Sequence, residues 1–362
     1  MPCKLDYYLK ELLEEEHENK NRKNAGGKAR ADIVEFFERS GVKPCEVFVD
    51  ITARSEATGL QKLIWHQRAV NSLKECTAQL HSGDTLYIQF PIICHSIFLG
   101  RFFRQLAGKN IRTVLIVHDL ESIRRAKTAM PAKMKLRFRA EELQGLRACS
   151  GIIVHNDVMK EFLAEKGIDR SKMVPLGVFD YLLPEVVPFQ QAAFQRDGNV
   201  VVAGNLSAEK CGYLYSLPND VQWNLYGVGY VGKERQNSFY QGSFTPEELP
   251  MKLEGSFGLV WDGTSADTCA GIYGEYLRIN NPHKISLYLA AGLPVIIWKE
   301  AALADFVEKE GVGLTVSSLF DIRAAIDKLT KEQYETMKEN AKRIGMRLRQ
   351  GSCLHEAIEK LQ

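Results

Sequence analysis

The chain has 362 residues, beyond the size at which single cores usually stop growing, so two domains of roughly 150 to 180 residues are expected, each with its own core. With 45% hydrophobic residues, 25% charged residues and a formal net charge of +2, the composition excludes a disordered chain and a nucleic-acid coat, and no nucleic-acid partner is expected. The eight cysteines show no C-x-x-C pair, which fits reduced thiols in a cytoplasmic protein. The N-terminus runs into Glu14-Glu15-Glu16 rather than a secretory apolar stretch, and the uncharged run Ile285 to Trp298 is too short to span a bilayer.

In chain order, Asn24-Ala25-Gly26-Gly27-Lys28-Ala29-Arg30 precedes a helix read over Ala31 to Ser40. It is a Gly-rich entry that sets Lys28 and Arg30 near a helix N-terminus, a place to clamp a phosphate or shape an acceptor pocket. It is not a Walker loop, because the first Gly of that spacing and the Ser or Thr after Lys are absent. Strand-like runs at Glu46 to Ile51, Thr85 to Phe90, Thr113 to Val117 and Gly151 to Val154 alternate with helix-like segments at Gln61 to His81 and Glu141 to Cys149. A second set of strands follows at Asn199 to Ala203, Gln222 to Tyr226, Phe257 to Trp261, Pro294 to Trp298 and Gly313 to Val316, with helices around Lys284 and over Ala301 to Lys309. This βα rhythm predicts an α/β protein with two Rossmann-like domains and parallel sheets. The first is read over 1–180, a Pro-containing linker over 181–198, the second over 199–338, and a helix over 339–362 that packs back on the first.

Ligands of open parallel sheets bind beyond the carboxyl ends of the strands, which directs attention to His118-Asp119 after Val117 and to His155-Asn156 after Val154. A general base must reach the proton of an attacking hydroxyl; Asp119 is the first choice and His118 the second. The same two residues would serve equally well as caps of a helix starting near Leu120 to Ser122. From Arg124 to Arg139 there are cations and no acid, a stretch that suits an anionic membrane surface and also suits a solvated loop and helix face.

In the second domain, Asp262-Gly263 ends a buried strand with turn chemistry. Further on, Asn281 reads as a helix cap, Pro282 as the first helical residue, and Gly292 then Pro294 as the stop. The helix start, the Lys284 ammonium and the His283 imidazole would together attract a pyrophosphate; a capped helix with a solvated lysine fits these residues as well. No Asp-x-Asp triplet occurs, so the paired carboxylates that hold a divalent ion against a diphosphate are missing, and no metal or other cofactor is expected.

Gly204-Asn205-Leu206-Ser207…Lys210-Cys211, Trp261-Asp262-Gly263…Thr268-Cys269…Gly271…Gly274…Tyr276-Leu277…Asn280-Asn281-Pro282-His283-Lys284…Ser286-Leu287-Tyr288-Leu289 and Ala301 to Phe306 resemble the bacterial β-1,6-galactofuranosyltransferases of O-antigen and capsule assembly. The resemblance extends through Ala25-Gly26…Lys28-Ala29-Arg30…Asp32, His118-Asp119…Arg124, His155-Asn156 and Phe179-Asp180-Tyr181-Leu182. A more distant likeness, around Phe257 to Trp261 and Lys284 to Val295, is to the glucosyltransferases that extend N-acetylglucosamine on streptococcal serine-rich adhesins. Both imply a GT-B architecture, two Rossmann-like domains facing a cleft, and transfer of a hexose from a UDP-sugar donor to a glycan or lipid-linked glycan acceptor. On this resemblance Lys284 and Lys210 bind the donor diphosphate; Gly204, Asn205, Asp262, Thr268, Tyr276, Asn281 and His283 are further donor-site candidates, and Gly26, Lys28, Arg30 and Arg124 belong to the acceptor or phosphate side. Galactofuranose from UDP-galactofuranose and a β-(1,6) linkage are the first expectation. UDP-glucose or UDP-galactose as donor is the second, and a noncatalytic nucleotide-sugar-binding subunit the third. A cytoplasmic enzyme, peripheral at the inner face of the membrane, fits such a role, and a homo-oligomer is compatible with it.

Overall fold

The computed structural model describes residues 4–13, 27–49, 59–93, 96–125, 131–190, 198–232 and 236–361; Gly26 of the Gly-rich entry lies outside them. Among the described residues, those of 1–20, 33–176 and 357–362 form one compact unit and those of 21–32 and 177–356 a second.

Unit 1 is built on six parallel strands: β1 (Asp6–Leu13), β2 (Lys43–Val49), β3 (Thr85–Phe90), β4 (Arg112–Val117), β5 (Gly151–Val154) and β6 (Met173–Pro175), in the order β2-β1-β3-β4-β5-β6. Its helices are α1 (Lys28–Arg39), which begins among the residues of unit 2, α2 (Leu60–Cys76), α3 (Leu99–Gly108), the single turn α4 (Glu121–Arg124), α5 (Ala132–Ala148) and α6 (Asp157–Glu165). The inner strands read as continuous apolar runs because helices cover both faces of a parallel sheet; every residue of β3 is buried. Strand β1 escaped sequence reading. Its Lys10 and Glu11 break the apolar run, and pairing with β2 on one side and β3 on the other overrides local preference. Helix α5 starts at Ala132, directly after Pro131, rather than near Glu141, because its charged first half carries no apolar period.

Unit 2 repeats the architecture with β7 (Val200–Asn205), β8 (Trp223–Val228), β9 (Ser238–Gly242), β10 (Phe257–Val260), β11 (Val295–Trp298) and β12 (Gly313–Val316), again all parallel, in the order β12-β11-β10-β7-β8-β9. From β7 the chain winds outward through β8 and β9, then crosses to the other side of β7 to make β10. The switch point of the sheet therefore lies between the carboxyl ends of β7 and β10. Helices α7 (Ala208–Cys211), α8 (Leu249–Lys252), α9 (Gly271–Tyr276), α10 (His283–Ala290), α11 (Ala304–Glu310), α12 (Ile322–Asp327), α13 (Lys331–Gln350) and α14 (Ser352–Glu359) complete the chain.

Helix α10 is buried from Lys284 to Ala290, packed between the sheet and α13. A Cβ on Gly345 of α13 would lie 2.1 Å from the Leu289 carbonyl oxygen, so only glycine allows the two helices this approach. On the sheet side Tyr288 lies over Gly258 of β10, and its hydroxyl accepts the Ala203 N–H at 2.8 Å.

Two expected helix boundaries are corrected. Asn281 does not cap α10: Pro282 is the cap, without a side-chain bond, and the Asn281 amide instead donates to the Gly177 carbonyl at 2.9 Å, an acceptor that would be costly to leave unpaired. The terminal segment is two helices rather than one from 339. A Thr330/Gln333 capping box starts α13, and Gly351, at φ 82°, ends it in the left-handed conformation before α14 begins. Among the described residues no helix is long and apolar enough to cross a membrane.

Gly258→Ala would place a methyl 2.2 Å from the Tyr288 ring, so it is expected to destabilise the protein by about 1 to 3 kcal/mol through overpacking, read as a lowered midpoint of thermal unfolding.

Candidate active site

The switch point of unit 2 gathers its charge around one ammonium. Strand β10 delivers Trp261 and Asp262 to its carboxyl end, and the Lys284 Nζ donates to the Trp261 carbonyl at 2.8 Å and to Asp262 Oδ1 at 2.7 Å. Both side chains of the pair are buried, with Lys284 only 9% exposed. Burial alone would depress the lysine pKa. The Asp262 carboxylate outweighs it and holds the group charged, with a net upward shift. An ammonium has three donors and two are spent here, which leaves one N–H for a ligand.

The neighbouring loops close on the same place. Gly204, the last but one residue of β7, has φ 123°, and the nearest atom to a Cβ there would be Lys284 Cε at 3.7 Å, so the glycine lets the strand end lie against the lysine. Asn205 Oδ1 accepts the Ser207 N–H at 2.9 Å, a turn that leads into α7. There the Lys210 carbonyl accepts the Gly263 N–H at 2.7 Å, and the Lys210 ammonium lies 5.7 Å from the Tyr273 ring centroid. Gly263 is required by its backbone, at φ 111° with Ala270 O only 2.1 Å from where a Cβ would stand. The structure thus brings together Gly204, Asp262 and Lys284 by direct approach, and joins Lys210 to the Asp262-Gly263 turn through the backbone. Thr268 is exposed on the following loop, whereas Tyr276 is buried in α9.

His283 and Asn281 are engaged with residues 177–183 of unit 2. The His283 ring stacks on Tyr181 with centroids 5.2 Å apart, and its Nε2 lies 3.3 Å from the Asp180 carbonyl oxygen. Burial lowers its pKa to about 4, with the Lys28 ammonium acting in the same sense, so at neutral pH the ring is uncharged and adds no positive charge beside Lys284. Lys28 is itself buried: it pairs with Asp32 at 2.6 Å and donates to the Leu182 carbonyl at 3.0 Å. Gly27 is exposed at the start of the same helix, and Arg30 is half-buried one turn on.

In unit 1 the carboxyl ends of β3, β4 and β5 carry a second polar group. His118 Nε2 is 2.8 Å from Gln89 Oε1 of β3. Asp119 is 54% exposed and lies 3.4 Å from Arg124, which also pairs with Glu121. Neither His118 nor Asp119 caps α4, whose cap is Leu120; behind that turn Glu142 accepts from the Ser122 N–H at 3.1 Å, and its buried carboxyl has a pKa raised to about 7. His155 is fully buried; burial lowers its pKa to about 4 against the opposing pull of the Asp119 carboxylate. Asn156 caps α6 through the Met159 N–H at 2.9 Å. Sequence reading missed Glu11, at the end of β1, where it accepts the Ile93 N–H at 2.7 Å, because it missed the strand that carries it. The bond of Tyr288 to β7 was not foreseen either, since a tyrosine on an apolar helix gives no signal of it.

Comparison with known proteins gives these sites a context. The family described as Glucosyltransferase 3-like, N-terminal domain, matches residues 8–178, and Glucosyltransferase 3-like, C-terminal domain, matches residues 200–361. The β-1,6-galactofuranosyltransferase WbbI of Escherichia coli (strain K12) is 33% identical over 365 residues, with 98% of each chain covered. The chain belongs to the glucosyltransferase 3-like family. Within it, glucosyltransferase 3 of Streptococcus gordonii is 25% identical over 277 residues, covering 76% of this chain and 78% of its own. The fold is GT-B: sucrose-phosphate synthase from Thermosynechococcus elongatus matches with a TM-score of 0.63 at 13% identity, over 99% of this chain and 98% of its own. Family membership makes the protein a glycosyltransferase.

Two outcomes follow from the geometry. Removing one member of the buried pair, by Lys284→Met or Asp262→Leu, should destabilise the protein by about 3 to 5 kcal/mol, whereas the double variant should cost much less than the two losses added, as read by a denaturation double-mutant cycle. As pH falls from 6.5 toward 4 the unfolded His155 takes up a proton that the native ring refuses, so stability present above 6.5 is lost by up to about 3 kcal/mol. His155→Leu should make the fall of the thermal midpoint over that window shallower.

Proposed function

We propose that this glycosyltransferase moves galactofuranose from UDP-galactofuranose to a sugar hydroxyl during cell-surface polysaccharide synthesis, forming a β-(1,6) linkage. The observation that carries the reading is the buried Lys284–Asp262 pair at the switch point of unit 2, charged and with one N–H to spare, where a diphosphate would meet it. The sugar and linkage rest on the activity for which the Escherichia coli relative, 33% identical over nearly the whole chain, is named. In this reading Lys284 and the start of α10 stabilise the departing UDP, while Asp119, with His118 beside it, takes the acceptor proton; direct displacement inverts the anomeric centre. Neutralisation of the leaving group is assigned to protein cations, Lys284 foremost, in keeping with a sequence that holds no Asp-x-Asp triplet. A lipid-linked glycan as acceptor would set the reaction at the inner face of a membrane.

A second reading, transfer of glucose from UDP-glucose, is favoured by the likeness to glucosyltransferase 3 of Streptococcus gordonii. A panel of UDP-galactofuranose, UDP-glucose and UDP-galactose with short galactoside and glucoside acceptors, followed by linkage analysis, separates the two. Turnover of UDP-galactofuranose alone is expected, at a rate unchanged by a chelator. Lys284→Met should lower kcat/KM for the donor roughly ten- to a hundredfold, the loss of one charge-assisted contact. UDP binding without turnover of any donor would leave only a binding subunit.

A further inference from the structure

The two halves of α5 have opposite surroundings. Its second half is core: Leu146, Glu141 and Glu142 are buried, and Gly145 lies so close to Phe90 that a Cβ would stand 3.2 Å from the ring. Its first half projects into solvent with Leu136 70% exposed and Met134 43% exposed, although burying such side chains is worth much more than leaving them wet. Around them stand Lys133, Lys135, Arg137 and Arg139, and no acid occurs between Glu121 and Glu141. Arg137 pairs with Glu141 at 3.2 Å; Lys133, Lys135 and Arg139 have no acidic partner among the described residues.

Helical spacing sets Lys133 and Arg139 three residues to either side of Leu136, on the same face, so the leucine stands out between two cations. A nucleic acid would match the charge and leave Leu136 in water. A layered partner, anionic outside and apolar a few ångströms beneath, satisfies both, with the long basic side chains reaching back to the headgroups. We propose that the first half of α5 is a membrane-docking surface that seats this enzyme on an anionic lipid leaflet, with Leu136 as the inserted side chain. The proposal deepens the reading of a lipid-linked acceptor, but docking needs no turnover and is tested without it.

The test is co-sedimentation of the full chain with phosphatidylcholine vesicles that contain or lack phosphatidylglycerol. Binding is expected to the anionic vesicles only, weakening with added salt. Lys133→Gln/Lys135→Gln should lower the partition coefficient by about 25-fold, at roughly fivefold per cation. Leu136→Ser, which leaves the charge unchanged, should lower it by about tenfold. Both variants should keep the thermal midpoint and the turnover of a short water-soluble acceptor, because none of these side chains belongs to the core or the candidate site. Equal partition onto uncharged vesicles, or partition unmoved by either variant, would overturn the inference. Lipid binding by a chain that turns over no donor would support the docking surface while removing the transferase reading.

Discussion

A buried ion pair organises the site of the second unit. Asp262 comes from the turn after β10 and Lys284 from the helix that leads on to β11, and neither is tolerable in that place without the other: a lone buried ammonium or carboxylate would cost several kcal/mol. Their pairing keeps the lysine charged in a dry site and fixes the end of β10 against the start of α10. The surrounding architecture serves this contact. Gly204 gives the lysine stem room, Gly263 makes the turn after Asp262, and Tyr288, one helical turn beyond Lys284, ties α10 to β7 by bonding the Ala203 N–H. The contact stands where a parallel sheet with this strand order leaves its crevice, so the fold supplies the place and the pair supplies the chemistry.

The start of α10 is held from behind by residues 177–183. Asn281 bonds the Gly177 carbonyl, His283 stacks on Tyr181, the Tyr181 hydroxyl donates to the Pro246 carbonyl at 2.6 Å, and the Asp180 carboxylate accepts the N–H groups of Cys353 and Leu354 at the start of α14. The Lys28–Asp32 pair grips Leu182 on both its backbone groups: Lys28 donates to the carbonyl, and Asp32 accepts the N–H at 3.1 Å. A segment bonded at almost every residue has little freedom to move, and it fixes the entry angle of the helix that carries Lys284. The candidate ligand group is therefore preorganised by residues whose own charges are spent on one another and on backbone groups.

Much of this was legible in the sequence, and the reasons are specific. Thr85 to Phe90, Gly151 to Val154 and Gly313 to Val316 stand as strands at the expected residues: the first two are buried throughout and read as largely apolar runs, and turn residues bound the third. Lys284 stood out as a cation at the start of an apolar helix, where the free N–H groups of the first turn also attract an anion. Strands β1, β6 and β9 were not legible: each is short or carries polar residues, and its extended form is decided by the neighbour it pairs with. The same limit hid Glu11.

The sequence by itself determined the class of the protein, two parallel α/β units with a basic helix start after a buried strand, since hydrophobic period and turn chemistry are local properties of the chain. Tertiary structure alone decided which charges meet. Asp262 and Lys284 are bonded although separated along the chain, His283 is neutral because it is buried against Tyr181, and Lys28 is spent on Asp32 and Leu182. Burial and the partner within reach set the state of an ionisable group, and both are properties of the packed molecule that no local pattern encodes.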